Sequence, residues 1–188
     1  AGVLVLNVAD AAQPTLLGSI DLPGYTRDIF VEETPGGDVA WVADDFEGFR
    51  VLDLSDPAHP RQLAELPDVG QPALRVEGDR GYAFLAAGPD GLLIIDVSTP
   101  TEPALVASLD TAGHTWDLAL AGTVAYLADD VAGIVAVDVA DPLNPLKIGQ
   151  LDTPGHARAV RAAGHLLFVA DGSRGLPPVP PDPGGFLG

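Results

Sequence analysis

The sequence predicts an all-β protein, a β-propeller assembled from four-stranded units of about 42–46 residues, and three observations predict it. One pattern recurs four times along the 188 residues, with three separate markers keeping the same register. Within each unit, apolar runs of five to eight residues alternate with Gly, Pro, Asp and Asn at 8–12 residue spacing, as in antiparallel β structure. No stretch carries a capped apolar stripe at helical period.

The first element of each unit is an apolar strand opened by glycine. Its four copies are GVLVLNVADAAQP from Gly2, GFRVLDLSDPAHP from Gly48, GLLIIDVSTPTEP from Gly91 and GIVAVDVADPLNP from Gly133. Their closing prolines, Pro14, Pro60, Pro103 and Pro145, are 46, 43 and 42 residues apart. The turn within this element is built on Asp10, Asp56 and Asp141, with Thr99 in the third copy, since such side chains bond nearby backbone N–H groups. A second strand then runs to a marker glycine, Gly24, Gly70, Gly113 or Gly155, at the same three spacings. The third strand alternates, as in ARAVRAAG. The fourth is an aromatic-apolar run, AWVADD, YAFLAAG, AYLADD or LFVADG, whose alanines are Ala43, Ala86, Ala128 and Ala170. The runs around Trp41, Tyr82, Phe84, Tyr126 and Phe168 are expected to pack between blades. Two irregularities stand out: an insertion around Glu32–Gly37, and one extra residue in QPALRVEGDRG, which predicts a β-bulge or displaced loop.

The runs VLVLNVAD, RVLDLSDP, LLIIDVSTP and IVAVDVADP, with TPGHARAV and LFVADG between them, resemble the LVIVD repeat. The resemblance covers about residues 2–175. It implies a propeller of the kind found in bacterial and archaeal surface or secreted proteins, and it implies no reaction and no catalytic residues.

The repeat domain is placed at residues 1–175, followed by a Pro/Gly-rich tail or linker at 176–188. The chain opens with the strand that elsewhere follows an aromatic-apolar run, and its repeats end with a run lacking that successor. Two architectures satisfy this. A closed four-bladed ring would pair Val3–Val8 antiparallel with Leu166–Ala170; otherwise the units form an arc of a larger propeller, with the missing blades lost or supplied by another chain.

Composition narrows the function. Acidic residues outnumber basic ones 27 to 9, a formal charge of −18, and Lys147 is the one lysine. Phosphate backbones and anionic lipid surfaces would repel such a chain, and no apolar run approaches the ~18 residues needed to cross a bilayer, so neither nucleic acid nor direct membrane insertion is expected. The absence of cysteine removes disulfides, thiolate metal sites and cysteine nucleophiles. The absence of methionine implies that Ala1 follows a processing or fragment boundary.

Candidate sites are few. Asp44, Asp45, Glu47, Asp90, Asp129, Asp130 and Asp171 cluster in turns. Ca2+ is one reading, but no loop has the alternating D-x-[DN]-x-[DN]-G spacing, and hairpin turns favour Asp on their own account. Asp53, Asp96, Asp138 and Asn7 recur within the apolar strands, at a solvated face or in an inter-blade hydrogen bond. The residues around the marker glycines differ between units and should ring one mouth of the channel: Tyr25, Arg27, Asp28, Gln71, His114, Trp116, Asp117, His156 and Arg158. Among them His114, His156 and Asp117, with Asp28 as another acid within reach, are weak candidates for a transition metal. No hydrolase, P-loop, zincin or dinucleotide fingerprint occurs.

The function expected is that of a non-enzymatic, extracytoplasmic propeller at the cell surface, in the periplasm or outside the cell. It would serve as a rigid binding or assembly scaffold for a protein or carbohydrate ligand, or for self-assembly. Two alternatives stand beside it: an enzyme with a metal or acid/base centre at the channel mouth, and a structural subunit of a surface layer or filament.

Overall fold

The computed structural model describes residues 2–34, 36–70 and 72–172. The chain begins with β1 (Gly2–Asn7) and β2 (Thr15–Asp21), an antiparallel pair. Three four-stranded antiparallel blades follow, each an uninterrupted meander. The first holds β3 (Asp28–Glu32), β4 (Val39–Ala43), β5 (Phe49–Asp53) and β6 (Arg61–Leu66). The second holds β7 (Arg75–Asp79), β8 (Tyr82–Ala86), β9 (Leu92–Asp96) and β10 (Ala104–Leu109). The third holds β11 (Asp117–Ala121), β12 (Val124–Ala128), β13 (Ile134–Asp138) and β14 (Leu146–Leu151). Last comes a second pair, β15 (His156–Ala163) with β16 (Leu166–Gly172). The architecture is an all-β propeller whose ring is not closed: β1 pairs with β2 and β16 with β15, and the exchange of Val3–Val8 with Leu166–Ala170 is not made within one chain.

The core lies between blades, and this explains the composition of the strands. β4, β5, β8 and β9 are sandwiched by sheets on both faces, so they read as continuous apolar runs rather than alternating ones. Trp41, Phe49 and Val51 of the first blade pack with Val76, Leu85, Leu93 and Ile95 of the second. Phe84, Leu92 and Ile94 on the opposite face of the second pack with Leu118, Leu127, Val135 and Val137 of the third. The outer strands β6, β10 and β14 are wetter, and each is bulged against its neighbour, which increases local twist.

Several expectations find their physical resolution here. The insertion near Glu32 lengthens the β3–β4 hairpin, whereas Arg80 and Gly81 suffice between β7 and β8, both at positive φ as a tight hairpin turn demands. The extra residue of QPALRVEGDRG produces no bulge in β7, whose register with β8 is regular; it is taken up in the loop ahead of Ala73. Asp53, Asp96, Asp138 and Asn7 make no inter-blade bond. Each accepts the N–H two residues ahead (Ser55, Ser98, Ala140 and Ala9, all at 2.9 Å) and closes an Asx turn. Phe168 is an exception among the aromatic runs. It is exposed, because among the described residues no blade stands beyond β16 to cover it. The tail at 176–188 lies outside the described residues.

The glycine opening each apolar strand has a double reason. Gly48, Gly91 and Gly133 all have φ between +73° and +83°. A Cβ at these positions would stand 2.2–2.4 Å from the carbonyl oxygen of Leu66, Leu109 or Leu151.

Candidate functional site

Two sets of loops meet at one end of the arc. One set, carrying the marker glycines, leads from the outer strand of a blade to the inner strand of the next. The other comprises the turns Asp44–Gly48, Ala87–Gly91 and Asp129–Gly133. Backbone bridges between neighbouring blades tie the two sets together: Asp45 with Ala73, Gly88 with Thr115 and Asp130 with Ala157, each a reciprocal pair of N–H···O bonds. Asp45, Gly88 and Asp130 hold φ near +50° to make them.

Five of the seven turn acids fall into two roles, each defined by protein hydrogen-bond partners. Asp44 and Asp129 turn inward and are fully buried, and Asp171 repeats their bonds at an exposed position. Each accepts the N–H of its marker glycine (Gly24, Gly113, Gly155) and a threonine hydroxyl (Thr26, Thr111 and Thr115, Thr153) at 2.7–3.3 Å. The glycine is needed because the chain passes so close; a Cβ on Gly113 would lie 2.0 Å from the Asp129 carbonyl oxygen. Asp45 and Asp130 instead face the mouth. Asp45 pairs with Arg27 at 2.7 Å, and Asp130 takes His156 Nδ1 at 2.8 Å and Arg158 at 3.4 Å.

Arg158, His156, Trp116 and His114 form one connected group across two blades. The Arg158 guanidinium lies 4.3 Å from the centre of the Trp116 ring, a cation–π contact, and the His114 ring is tilted against Trp116 at 4.4 Å. His114 also covers Gly88, where a Cβ would meet its Cε1 at 2.9 Å. The indole Nε1 of Trp116 and Nε2 of His114 are buried without a protein partner. Tyr25, Phe46 and Val131 stand exposed on the same loops. Gln71 lies outside the described residues.

Asp28 and Asp117 sit one step further in, at the start of the inner strands. Asp28 accepts Val76 N–H at 2.9 Å and Arg75 at 2.9 Å; Asp117 accepts Val160 N–H at 2.9 Å and Arg161 at 2.7 Å. Arg75 also reaches Glu77 at 2.8 Å and Asp117 at 3.2 Å, so a ladder of alternating charge crosses the inner strands. Burial works against the charge of Arg75, but the hydrogen bond to Glu77 and the charges of Asp28 and Asp117 outweigh it and raise its pKa. These acids lock blade to blade.

The proposed metal trio is therefore not assembled. His156 is held by Asp130, His114 by Trp116 and Asp117 by backbone and arginine. Among the described residues no group of three or more His, Asp or Glu side chains is placed to hold a metal ion. The sequence reading missed Asp45, Asp130, Phe46 and Val131 as mouth residues. Their recurrence immediately after the inward-facing Asp was the available signal.

Comparison with known proteins matches the LVIVD repeat family at residues 23–64, 74–111 and 112–153. Two designed proteins are similar in fold. The crystal structure of the computationally designed Ika4 protein superposes with a TM-score of 0.65 at 9% identity, over 80% of this chain and 88% of that one. That of the computationally designed Ika8 protein gives 0.61 at 12%, over 84% and 46%. Among curated proteins, erythronolide synthase EryA2 of Saccharopolyspora erythraea is 31% identical over 133 residues, 66% of this chain. The matched segment spans 4% of that synthase's length.

Proposed function

The chain belongs to the LVIVD-repeat family, and we propose that it is a non-enzymatic, extracytoplasmic scaffold that binds a protein ligand at the channel mouth. The observation that carries this reading is the contrast at the mouth between frame and side chains. The frame is fixed by three repeated backbone bridges and by the Asp44 and Asp129 carboxylates. The combination of side chains mounted on it changes from unit to unit: Tyr25, Arg27 and Phe46, then His114 and Trp116, then His156 and Arg158, with only the histidine or the arginine shared between any two. A rigid scaffold with variable loops is how binding surfaces are commonly made. Exposed aromatics beside arginines are the residue types enriched where proteins meet proteins. The Trp116 ring is already flanked by His114 and Arg158, which leaves it poorly placed to stack on a sugar, so a protein ligand is favoured over a carbohydrate.

The test is affinity capture from envelope and culture-supernatant extracts, comparing the unaltered chain with a Tyr25→Ala/Phe46→Ala/Arg158→Ala variant of unchanged circular dichroism. A protein retained by the first and lost by the variant supports the mouth as the binding surface. Equal retention by both, or retention by neither, overturns it.

A further inference from the structure

We infer that a recess on the second blade receives an arginine side chain carried by an extended segment of a partner protein. Its residues are separate from the mouth group, so it does not depend on what the mouth binds. The recess, of about 350 Å³, is floored by Leu93 of β9 and Leu105 of β10, with Ser108 beside them. Three acids stand exposed around it: Asp68 from the loop after β6, Asp90 from the β8–β9 turn and Asp110 after β10. Among the described residues, none of these three carboxylates makes a hydrogen bond or an ion pair. Asp28, Asp44, Asp45, Asp117, Asp129 and Asp130 all do.

The other blades show what chemistry this corner takes. Strand registers make Asp90, Leu93, Leu105 and Ser108 the counterparts of Glu47, Arg50, Gln62 and Glu65 in the first blade. There the Arg50 guanidinium fills the corner, bonded to Gln62 at 3.1 Å and to Glu65, with Glu47 at 3.8 Å. In the third blade the counterparts are Ala132, Val135, Lys147 and Gln150. Lys147 donates to Gln150 at 2.6 Å, and Gln150 donates to the Ala132 carbonyl at 2.9 Å, which closes the corner with a cation again. Among the described residues of the three whole blades, only the second brings no cation of its own to this place. It keeps the turn acid and sets two more beside it. An apolar floor under unpaired carboxylates suits a side chain with an apolar stem and a cationic head. Arginine fits best, because its five donors can serve several carboxylates at once where an ammonium acts as a point charge. The charge of −18 draws such a ligand in.

The strand beside the recess favours a protein segment over a free small cation. β10 is the outer edge strand of its sheet. β6 carries Arg61 and Glu65 along its edge and β14 carries Lys147, whereas β10, ALVASL, has no charged side chain to discourage pairing. Ser108 pairs with Leu93 and Leu105 with Ile95, so Leu93, Leu105 and Ser108 share one face of the blade. A segment added along β10 sets every second side chain on that face, beside Leu105 and over the recess.

NMR titration of the chain reads both features. The probes are the acetylated pentapeptide amide VTRTV, the same peptide with citrulline in place of arginine, and acetyl-arginine amide. The arginine peptide should shift the amides of Gly70, Leu93 and β10 saturably. Asp68→Asn/Asp110→Asn, whose side chains are exposed, should weaken this about fivefold with circular dichroism unchanged. The citrulline peptide should bind more weakly by at least about the same factor. Acetyl-arginine amide should shift the recess more weakly and leave the β10 amides unmoved. Leu93→Arg supplies from within the guanidinium that Arg50 supplies in the first blade, and should block the peptide; the asparagine variant carries the test should Leu93→Arg fail to fold. The inference is overturned by no saturable shift, or by shifts spread over the acidic surface. It is equally overturned by undiminished binding to Asp68→Asn/Asp110→Asn or to a folded Leu93→Arg, by equal binding of the citrulline peptide, or by acetyl-arginine amide binding as tightly as the pentapeptide.

Discussion

Asp44 and Arg50 meet 2.8 Å apart beneath the first blade's turn, both closed off from solvent. Arg50 stands where the other copies have Leu4, Leu93 and Val135. Its guanidinium is further held by Gln62, Glu65 and Glu47 at the blade's outer edge. In the second blade the same two places are occupied by Ala87 and Leu93, both buried and apolar. The protein thus holds an ionic and an apolar solution to one packing problem, side by side.

That juxtaposition sets the first prediction. Asp44→Ala should cost about 3 kcal/mol, because it leaves a buried guanidinium short of its partner. Arg50→Leu should cost less, since Gly24 and Thr26 still bond Asp44 as Gly113, Thr111 and Thr115 bond Asp129 in a blade without that arginine. The double variant Asp44→Ala/Arg50→Leu should be more stable than the sum of the singles by 1 kcal/mol or more. Denaturant melts of the four proteins measure this, and strict additivity would refute it.

Leu127, fully buried between the second and third blades, should lose about 2–5 kcal/mol on replacement by alanine. Leu143, exposed in the turn before β14, should change by less than about 0.5 kcal/mol on the same replacement. Similar midpoints for both variants would contradict a core that lies between blades.

Gly78 faces the stacked rings of Phe30 and Trp41, whose centroids are 5.2 Å apart. A Cβ there would stand 2.0 Å from the Trp41 ring. Gly78→Ala should therefore destabilise by about 1–3 kcal/mol and alter the near-UV signal of Trp41, through overpacking rather than backbone strain. An unchanged aromatic spectrum with unchanged stability would show that the ring has room to move.

The carboxyl of Asp53 is held at about 2 by the hydroxyl and N–H of Ser55 and by Arg61. A pKa lowered on folding stabilises the folded chain above the unfolded value near 4, and the contribution is lost as pH falls through about 2. Asp53→Asn keeps the turn, as Asn7 does in the first copy, but removes the charge. The stability gap between the two proteins should be largest above pH 4 and close by pH 2. A gap independent of pH would mean that Asp53 stabilises through turn geometry alone.

With a net charge of −18, screening should relieve self-repulsion, so the melting temperature should rise between low and molar salt. A flat or falling midpoint would show that the acids are already compensated by their internal partners.

The sequence by itself determined the blade. Glycines at fixed spacing, Asx turns at Asp56 and Asp141, and unbroken apolar runs such as LLIID are local signals. Each acts through steric fit, turn hydrogen bonds or burial of a strand on both faces, and the repetition of three markers made the unit unmistakable. The partners of the acidic side chains were decided only by the tertiary structure. Asp28 bonds Val76 N–H 48 residues away, and Asp117 bonds Val160 N–H 43 residues away. Such contacts depend on the rotation between blades, which no spacing along one unit encodes. The same holds for His114, His156 and Asp117: the sequence placed them near one mouth, and the fold turned each toward a different partner. Ring closure belongs here too. Alternation and repeat order identify β1 and β16 as complementary, but whether two edges meet depends on how blades stack in three dimensions, and among the described residues β1 pairs only with β2 and β16 only with β15.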